Sequence, residues 1–350
     1  MKPMRVLHLL ASNKFSGAEN VACQIIKLFD GEVEMAYSSP NGPIMDKLSK
    51  EGIKFYPLQK LSIKEVKKVL HEFNPDIIHA HDVKATIMAC LVAGKTPVVS
   101  HIHCNHKDFC RLSFRSLIFN HFVKNGKIKH TLFVSQSSHD DYFFNKNLGE
   151  NSSILYNIID VKNFYHKESQ STYQDKSDII YFGRLCDIKD PERVIKITNI
   201  LKKSLPNIRV AVVGDGDLKE KCLALTQDLG LEKNITFYGF LENGYGLMKN
   251  SKIMIMTSKS EGTPMSALEA QAFGLPIVST KTSGAKELLI EGETGFLFES
   301  DMEGAERILS LLCDEQLYKK FQDNITQFSI QYNNIKSYKD VILRVYAKIM

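Results

Sequence analysis

The 350-residue chain contains no tryptophan, and no apolar run in it is long enough to span a bilayer. Its seven cysteines are odd in number, are dispersed along the chain, and nowhere show the Cys-x-x-Cys spacing of a structural zinc site. No segment has the pattern of a signal peptide. We therefore expect a protein of a reducing compartment, located in the cytoplasm.

A Gly-x-Gly-x-x-Gly motif is also missing after the first predicted strand, which argues against an NAD-dependent oxidoreductase. The chain has no internal repeat of the solenoid kind. Hydrophobic residues make up 43% of the chain and charged residues 24%, as is ordinary for a soluble globular protein with a large core. The length suggests about two domains.

Positive charge is concentrated before residue 166, although the formal net charge is only +5. Between positions 107 and 130, several basic residues interleave with phenylalanines. The basic residues are Lys107, Arg111, Arg115, Lys124, Lys127 and Lys129, and the aromatic residues are Phe109, Phe114, Phe119 and Phe122. A basic, aromatic amphipathic helix can lie on an anionic membrane surface. The alternative is that the aromatic side chains face the core while the charges face water.

Predicted strands and helices alternate along the first part of the chain. The strands are expected at 6–11, 33–37, 53–57, 76–79, 97–101 and 131–135. This alternation implies a parallel sheet covered by helices on both faces, and ligands bind such sheets outside the carboxyl ends of the strands. His79, His81 and Asp82 lie at one such end, and His101 and His103 lie at the next.

The alternation resumes after a polar stretch at 167–177, which has the composition of an interdomain linker. A strand at 179–182 is followed by Arg184 and, before the next helix, by Lys189. Further along the chain, Gly214 and Phe240 each follow a predicted strand. We therefore place a domain boundary near 165/166.

The most informative stretch surrounds two glutamates. Thr263 is expected to cap the N-terminus of a helix, Pro264 to occupy its first position and Gly274 to end it. Glu261 precedes this helix, and Glu269 lies within it. The helix N-terminus between the two carboxylates suits a diphosphate, and a carboxylate can accept hydrogen bonds from two sugar hydroxyls. The stretch therefore predicts a site for a nucleotide-sugar.

This stretch, which carries Glu-Gly-Thr-Pro, Leu-Glu-Ala, Gly-Leu-Pro and Gly-Glu-Thr-Gly in order, resembles the retaining GT-B glycosyltransferases of family GT4. The signature of that family is two glutamates separated by seven residues. The resemblance implies an α/β fold of two Rossmann-like domains facing each other across a cleft, with a C-terminal helix that crosses back to the first domain. The expected domains are 1–165 with about 330–350, which binds the acceptor, and 166–329, which binds the donor.

The resemblance also implies roles for individual residues. Glu261 would contact the donor sugar, Glu269 the ribose, and Arg184 with Lys189 would stabilise the departing diphosphate. His103 would lie near the reacting centre and contact the donor sugar or orient the acceptor, and a purely structural histidine is the alternative. The other expected donor-binding residues are Gly17, Gly214, Phe240, Gly262, Thr263, Pro264 and Met265, and the expected acceptor-binding residues are Ser16, His81 and His103.

Two positions depart from the pattern of the family. Ser16 precedes Gly17 where the family has a pair of glycines, and Ile158 replaces the glycine of an Asn-Gly-Ile-Asp turn. These departures motivate one alternative, a catalytically silent subunit that binds a nucleotide-sugar. A nucleotide-sugar 2-epimerase, which would turn over without an acceptor, is the other alternative.

The expected activity is retaining transfer of a hexose-type sugar from a nucleotide diphosphate-sugar, commonly a UDP-sugar, to a hydroxyl of a glycan or glycolipid acceptor in surface-polysaccharide biosynthesis. The usual proposal for this family is front-face attack with the leaving phosphate accepting the proton, so neither glutamate acts as in a glycoside hydrolase. We expect no metal, no cofactor and no nucleic-acid partner, and a peripheral contact with the inner face of the membrane through residues 107–129. Five residues of the types that bind zinc lie close together in the sequence: His101, His103, Cys104, His106 and Cys110. They lack the paired cysteine spacing of a structural zinc site, so we do not expect zinc there.

Overall fold

The computed structural model describes residues 3–103 and 108–350, with position 163 described by its backbone alone. The chain forms two compact units. The first comprises Met1–Asn157 and Ile335–Met350, and the second comprises Ile158–Asn334. The units therefore divide a few residues away from the boundaries at 165/166 and 329/330 that the sequence suggested.

The position of Phe164 explains why the second unit begins early. Its ring packs against the rings of Tyr245 and Phe273, with centroid separations of 4.6 and 4.7 Å. The segment after Asn157 is thus anchored in the core of the second unit, and the polar stretch at 167–177 lies inside that unit.

The first unit is built on a parallel sheet. Its strands are β1 (Arg5–Leu9), β2 (Glu34–Pro40), β3 (Phe55–Leu58), β4 (Ile77–His81), β5 (Val98–Ile102), β6 (Ile128–Phe133) and β7 (Ser152–Ile154). Its helices are α1 (Gly17–Leu28), α2 (Ile44–Lys50), α3 (Ile63–Phe73), α4 (Asp82–Val92), α5 (Phe114–Lys124), α6 (Gln136–Asp140) and, from the end of the chain, α15 (Ile335–Ile349). The strand order is β3-β2-β1-β4-β5-β6-β7.

The second unit repeats this plan with six parallel strands. They are β8 (Ser177–Phe182), β9 (Val210–Val213), β10 (Ile235–Gly239), β11 (Ser251–Met256), β12 (Ile277–Thr280) and β13 (Gly295–Phe298). The helices are α7 (Val161–Ser169), α8 (Pro191–Leu201), α9 (Lys219–Asp228), α10 (Tyr245–Lys249), α11 (Met265–Ala272), α12 (Ser283–Leu288), α13 (Asp301–Cys313) and α14 (Glu315–Tyr332). The strand order is β10-β9-β8-β11-β12-β13.

Strand β8 shows why the apolar runs of the sequence become buried parallel strands. Ile179 and Tyr181 belong to the hydrophobic core on one face of the sheet, and Ile180 belongs to the core on the other face. Because successive side chains of a strand point to opposite faces, an uninterrupted apolar run fits a sheet that helices cover on both sides. The predicted α/β architecture of two Rossmann-like domains is confirmed.

The order of the strands reverses once in each sheet. In the first unit the reversal falls between β1 and β4, and in the second it falls between β8 and β11. At such a point the connections on the two sides run in opposite directions and leave a crevice at the carboxyl ends of the strands, where ligands of open α/β sheets bind. The loops after these four strands are therefore the positions to search for a site.

Helix α11 differs from its sequence prediction at its start and agrees at its end. Pro264, in an extended conformation, is the cap residue, and no side chain caps the helix, so the prediction of Thr263 as the cap is wrong. At the other end, Gly274 has φ +71° and its N–H donates to Gln271, while the N–H of Leu275 donates to Ala270. This is the Schellman arrangement that satisfies the last carbonyls of a helix.

The segment at 107–130 is not one amphipathic helix. Helix α5 covers only Phe114–Lys124, and Lys107 lies outside the described residues. Phe109, Phe119 and Phe122 are buried in the core of the first unit, whereas Phe114 is 78% exposed. The prediction of an aromatic face turned outward is therefore wrong for three of the four phenylalanines, because they fill the space between the sheet and the neighbouring helices.

The C-terminal helix α15 packs on the first unit, as the resemblance implied. Tyr338, Ile342, Val345 and Tyr346 form its buried stripe, at the spacing of one helix face. In the part of the chain that the structure describes, no helix combines the length and the apolar character that a bilayer crossing requires.

Candidate functional site

In the second unit, two loops meet in close backbone contact at the carboxyl edge of the sheet. A Cβ at Gly214 would lie 1.9 Å from the carbonyl oxygen of Gly183, and a Cβ at Gly216 would lie 2.4 Å from that of Leu185. Both glycines also have positive φ, +143° and +158°. Only glycine fits these two positions, so the loop after β9 holds the loop that carries Arg184 in place.

Glu261 lies in the loop after β11, on the other side of the strand reversal. Its carboxylate accepts hydrogen bonds from Lys189 Nζ at 2.5 Å and from Ser258 Oγ at 2.6 Å. The side chains of Lys189 and Glu261 are only 23% and 10% exposed. The structure thus brings together two of the predicted site residues from the two sides of the reversal, and neighbouring side chains hold the carboxylate in one position.

The loops on which this ion pair rests are themselves fixed by backbone contacts. Thr257 donates its hydroxyl to the carbonyl oxygens of Lys189 and Asp190, at 3.0 and 2.8 Å. A Cβ at Gly284 would lie 1.4 Å from the carbonyl oxygen of Gly262, so α12 presses directly on the loop after Glu261. Such support keeps a binding residue at a defined position.

Arg184 and Phe240 are exposed residues of the same unit. No described residue forms a hydrogen bond or ion pair with the guanidinium group of Arg184, and the Phe240 side chain is 74% exposed. Gly262, Thr263 and Pro264 are buried, and Met265 is half-buried. The free guanidinium fork can bind an oxyanion in a bidentate manner, and the exposed ring offers a surface on which a base can stack.

Glu269, the second glutamate of the signature, is buried on α11. Its carboxyl group accepts a hydrogen bond from the hydroxyl of Tyr245 at 3.1 Å. Burial raises the pKa of the Glu269 carboxyl to about 7, although the Tyr245 hydrogen bond acts in the opposite direction. A carboxyl group that titrates near neutral pH in a pocket is a frequent feature of functional sites.

In the first unit, the loop between β1 and α1 carries Ser16 and Gly17. The Ser16 hydroxyl donates to Glu19 at 2.5 Å, and burial raises the pKa of the Glu19 carboxyl. A Cβ at Gly17 would meet no atom within 4 Å, so the protein itself does not require a glycine there. Neither Ser16 nor Ile158 has a positive φ. The two departures from the family pattern therefore cause no backbone strain.

A cluster of buried histidines lies at the same edge of the first sheet. His81 Nδ1 lies 2.8 Å from His103 Nε2, and the backbone N–H of His103 donates to Asp82 Oδ1 at 2.9 Å. Asp82 has a left-handed backbone with φ +63°, which is uncommon outside glycine. Burial lowers the pKa of His103 to about 3 and that of His81 well below its ordinary value.

Sequence reasoning missed two members of this cluster. His8 lies on β1, with its Nδ1 2.9 Å from His81 Nε2, and Tyr346 on α15 has its hydroxyl 2.6 Å from His79 Nδ1. His8 stands inside an apolar run, and Tyr346 is distant in sequence. The alternation of histidines in β4 and β5 was the only signal that pointed to this face of the sheet. Cys104 and His106 of the zinc alternative lie outside the described residues.

Comparisons with known proteins agree with this geometry. The chain matches the model of Glycosyltransferase Family 4 over residues 20–163 and that of Glycosyl transferases group 1 over residues 163–328. It is 22% identical to the putative glycosyltransferase EpsD of Bacillus subtilis, over 82% of this chain and 80% of that protein. It is 25% identical to the lipopolysaccharide 1,6-galactosyltransferase of Salmonella typhimurium, over 82% of this chain and 83% of that protein.

Among solved structures, Anabaena Alr3699/HepE in complex with UDP-glucose superposes with a TM-score of 0.85 at 22% identity, over 99% of this chain and 100% of that chain. The fold and the matches define a glycosyltransferase with the GT-B fold. The chain belongs to glycosyltransferase family 4, since the two family models together span it from residue 20 to residue 328.

Proposed function

We propose that the protein is a retaining glycosyltransferase that moves a hexose-type sugar from a UDP-sugar to a hydroxyl of a glycan or glycolipid acceptor. The observation that carries the proposal is the half-buried Lys189–Glu261 pair at the strand reversal of the second unit, which also carries the exposed Arg184 in the loop after β8. The relatives that act in lipopolysaccharide synthesis and the UDP-glucose complex of a protein with the same fold support the choice of donor and acceptor class.

In this proposal the donor is held from both ends. Glu261 accepts hydrogen bonds from the sugar hydroxyls, and Glu269 accepts them from the ribose. Lys189 has three N–H donors, so it can keep its bond to Glu261 and still contact the diphosphate. Arg184 adds a bidentate contact, and Phe240 supports the base. The two cations offset the charge of the leaving diphosphate, which is why we propose that no metal is required.

The proposed reaction breaks the bond between C1 of the sugar and the diphosphate oxygen, and forms a bond from the acceptor oxygen to C1 on the same face. The proton of the acceptor hydroxyl goes to the leaving phosphate oxygen. The protein contributes positioning and electrostatic stabilisation of the leaving group. His103 contacts the donor sugar or the acceptor, beside Ser16, Gly17 and His81.

A thermal-shift panel with UDP-, GDP-, ADP- and dTDP-sugars tests the proposed donor site. We expect one UDP-sugar to raise the Tm of the wild type, and the shift to be lost in Arg184→Ala and Glu269→Ala. Lys281→Ala is the matched control, because it removes an exposed lysine of the same unit whose partner Glu299 is also exposed. A shift with another nucleotide, or an unchanged shift in both site variants, would contradict the proposal.

Incubation with the donor in the absence of an acceptor distinguishes the alternatives. A transferase leaves the sugar unchanged apart from slow hydrolysis, whereas a 2-epimerase accumulates the epimeric nucleotide-sugar. Addition of a glycan or lipid-linked glycan acceptor then yields free UDP and an elongated product with an α-linkage from an α-linked donor. Donor binding with no turnover under either condition would support the catalytically silent subunit.

We also propose that the start of α5 and the residues just before it contact an anionic membrane surface. Leu112, Phe114 and Leu117 are 60%, 78% and 47% exposed, beside the exposed Arg111 and Arg115. Apolar side chains flanked by basic ones are the composition that binds an anionic interface.

Co-sedimentation with vesicles of phosphatidylglycerol and phosphatidylcholine tests this contact. We expect binding that Leu112→Ser with Phe114→Ser abolishes and that high salt weakens. Lys129→Ser, which removes a charge without removing apolar surface, serves as the control. Equal binding of the double variant and the wild type, or no binding of either, would rule the surface out.

A further inference from the structure

Five histidines share one face of three adjacent strands in the first unit. His8 lies on β1, His79 and His81 on β4, and His101 on β5, with His103 immediately after it. In the sheet register His8 is opposite His79, and His81 is opposite His101. Because residues two apart in a strand point to the same face, all five rings lie on that face, and diagonal neighbours come within reach of each other.

Three of these rings form a chain of ring-nitrogen contacts. His8 Nδ1 lies 2.9 Å from His81 Nε2, and His81 Nδ1 lies 2.8 Å from His103 Nε2. The corresponding ring centroids are 5.2 and 5.1 Å apart, so the rings meet edge to edge. Each step moves one strand across the sheet and towards its carboxyl edge. The chain therefore leads from the buried interior to the position of the proposed acceptor site.

A second chain runs beside the first. His101 Nδ1 lies 3.2 Å from His79 Nε2, and His79 Nδ1 lies 2.6 Å from the hydroxyl of Tyr346. The His79 ring stacks on the His81 ring with an interplanar angle of 7° and a centroid separation of 4.8 Å. In this second series of contacts, His79 keeps the His81 ring in its plane by stacking on it. The series includes no hydrogen bond to His103.

The ring geometry favours hydrogen bonds over a metal ion. The contacts of 2.8 and 2.9 Å are ordinary hydrogen-bond distances, whereas a tetrahedral zinc ion with Zn–N bonds of about 2.0–2.1 Å would hold its nitrogens about 3.3 Å apart. Stacked rings such as His79 and His81 also direct their lone pairs along nearly parallel planes, so these do not converge on one point. Metal binding is nevertheless one of the results that the experiment below can return.

Neutral imidazoles in such a chain must adopt matching tautomers. Burial lowers the pKa of His8 and that of His103 to about 3 and the pKa of His81 well below its ordinary value, so these imidazoles are neutral at physiological pH. A neutral imidazole has one N–H and one lone pair. If His8 carries its proton on Nδ1, then His81 and His103 must also carry theirs on Nδ1. If His8 carries it on Nε2, all three protons are on Nε2.

The two free ends of the chain decide between these states. Within residues 3–103 and 108–350, neither His8 Nε2 nor His103 Nδ1 has a hydrogen-bond partner. The state with the protons on Nε2 would leave a buried N–H of His8 without an acceptor. The state with the protons on Nδ1 leaves the unpaired N–H on His103 instead, at the carboxyl edge of the sheet. His103 is only half-buried, whereas His8 is fully buried, so an N–H of His103 can be satisfied by a bound substrate while one of His8 cannot, and a buried donor without an acceptor is costly. The protons on Nδ1 therefore give the more stable state.

We propose that His8 and His81 are positioning residues that fix the tautomer of His103, so that its Nδ1–H is a hydrogen-bond donor aimed at an oxygen of the bound substrate. The proposal rests on the proposed function only for the identity of that oxygen, a sugar or acceptor hydroxyl. The Asp82 carboxylate, which accepts the backbone N–H of His103, fixes the same residue from its backbone side.

Nitrogen-15 NMR of the histidine rings tests the tautomer directly and needs no substrate. In the wild type we expect His103 to be neutral, with its proton on Nδ1, throughout the range in which the protein is folded. In His8→Phe and His81→Phe we expect a mixture of tautomers. His130→Gln is the matched control, since His130 is a buried histidine of the same unit that bonds to Ser153 instead of joining the chain.

Transfer kinetics supply the second readout. We expect kcat to fall by roughly tenfold to a hundredfold in His8→Phe, less than for loss of a catalytic donor itself, with little change in the KM for the donor. His81→Gln, which keeps a donor and an acceptor at this position, should recover part of the loss.

Three results would overturn the proposal. They are a wild-type His103 protonated on Nε2, a tautomer that is unchanged in both Phe variants, and stoichiometric zinc binding by the wild type that these variants abolish. If the variants do not fold, the wild-type spectrum alone decides. If the tautomers are as expected but no nucleotide-sugar binds, the proposed function fails while the tautomer assignment stands.

Discussion

At the scale of single residues, the two signature glutamates differ in what surrounds their carboxyl groups. Glu261 is held by a lysine and a serine, whereas Glu269 is buried with a tyrosine hydroxyl as its hydrogen-bond donor. The first arrangement fixes the position of the carboxylate, and the second raises the pKa of the carboxyl group. The two glutamates of one motif therefore give different predictions, one for pH dependence and one for the loss of an ion pair.

The titration of Glu269 predicts a pH dependence of donor binding. An ionised carboxylate is the stronger acceptor for ribose hydroxyls, and the pKa of this group is raised to about 7. The Tm increase caused by the UDP-sugar should therefore grow between about pH 6 and pH 8 in the wild type. It should be smaller and independent of pH in Glu269→Gln. An identical pH profile in the two proteins would show that another group titrates.

The same raised pKa makes a prediction about stability without ligand. A carboxyl whose pKa is 4.5 when unfolded and about 7 when folded stabilises the fold fully below pH 4.5, and this contribution is lost as the pH rises to 7. The loss amounts to about 3 kcal/mol. The Tm of Glu269→Gln should thus gain on the wild type across this range. Glu299→Gln, which changes an exposed carboxyl, should show no such gain.

The Lys189–Glu261 pair predicts the effect of removing one partner. Glu261→Ala should lower transfer by roughly a hundredfold to a thousandfold, with a loss of unfolding free energy of about 1–3 kcal/mol because Lys189 is left half-buried without its acceptor. Glu299→Ala breaks an exposed ion pair of the same unit and should change neither quantity much. An active Glu261→Ala enzyme would remove this residue from the sugar site.

At the scale of elements, the close contact between the loops after β8 and β9 should be sensitive to a single methyl group. In Gly214→Ala the new Cβ would meet the carbonyl oxygen of Gly183. We expect a loss of unfolding free energy of at least about 1–3 kcal/mol and weaker donor binding, because the loop carrying Arg184 must shift. Urea unfolding and the donor-induced Tm increase measure the two effects.

Gly230→Ala is the control for that substitution. Gly230 also has a positive φ, +61°, but its Cβ would have nothing within 4 Å. This variant should lose about 1–2 kcal/mol from backbone strain alone and retain normal donor binding. If both variants bind the donor equally well, the loop contact does not position Arg184.

Elements also show what the sequence could and could not predict. Central strands such as β4 and β5 were found because their apolar runs are buried on both faces. The end of α11 was found because Gly274 adopts the left-handed conformation of a helix cap, which favours glycine. The start of α11 was wrong because a proline in an extended conformation took the cap position from Thr263. The segment at 107–130 was misjudged because basic and aromatic residues in alternation do not reveal which of them meets the core.

The histidine chain lay beyond sequence reasoning for a different reason. His8 and His81 are neighbours only because β1 and β4 are adjacent in the sheet, and this adjacency is set by the strand order. The sequence of one strand does not show which residues of the neighbouring strand will lie diagonally opposite. The carboxyl edge of each sheet, where ligands of open α/β sheets bind, could be predicted from the sequence. The contacts between side chains at that edge could not.

At the scale of the whole molecule, each unit has its own sheet, its own core and its own strand reversal. Arg184 and Lys189 follow β8 and Glu261 follows β11, so these predicted residues lie at the reversal of the second sheet. The C-terminal helix α15 is the element that ties the end of the chain to the first unit. Its Tyr346 hydroxyl is buried against His79.

Shortening the protein tests the importance of that helix. A chain ending at Asn334 should retain a protease-resistant second unit, while the first unit becomes susceptible because the buried face of α15 is lost. Tyr346→Phe removes only the hydroxyl, leaves His79 Nδ1 without its partner, and should cost about 1–3 kcal/mol. Tyr338→Phe on the same helix is the milder control, since among the described residues the Tyr338 hydroxyl has no hydrogen-bond partner. Limited proteolysis with mass spectrometry measures the outcome.

The return of the chain to its first unit also sets an order of events during synthesis on the ribosome. The second unit is complete once residue 334 has left the exit tunnel, and its contacts are all present in the emerging polypeptide. The first unit is translated earlier but lacks its last helix until residues 335–349 have also left the tunnel. The half that is made first is therefore the half that finishes folding last, and until then the surface that α15 will cover is open to chaperones.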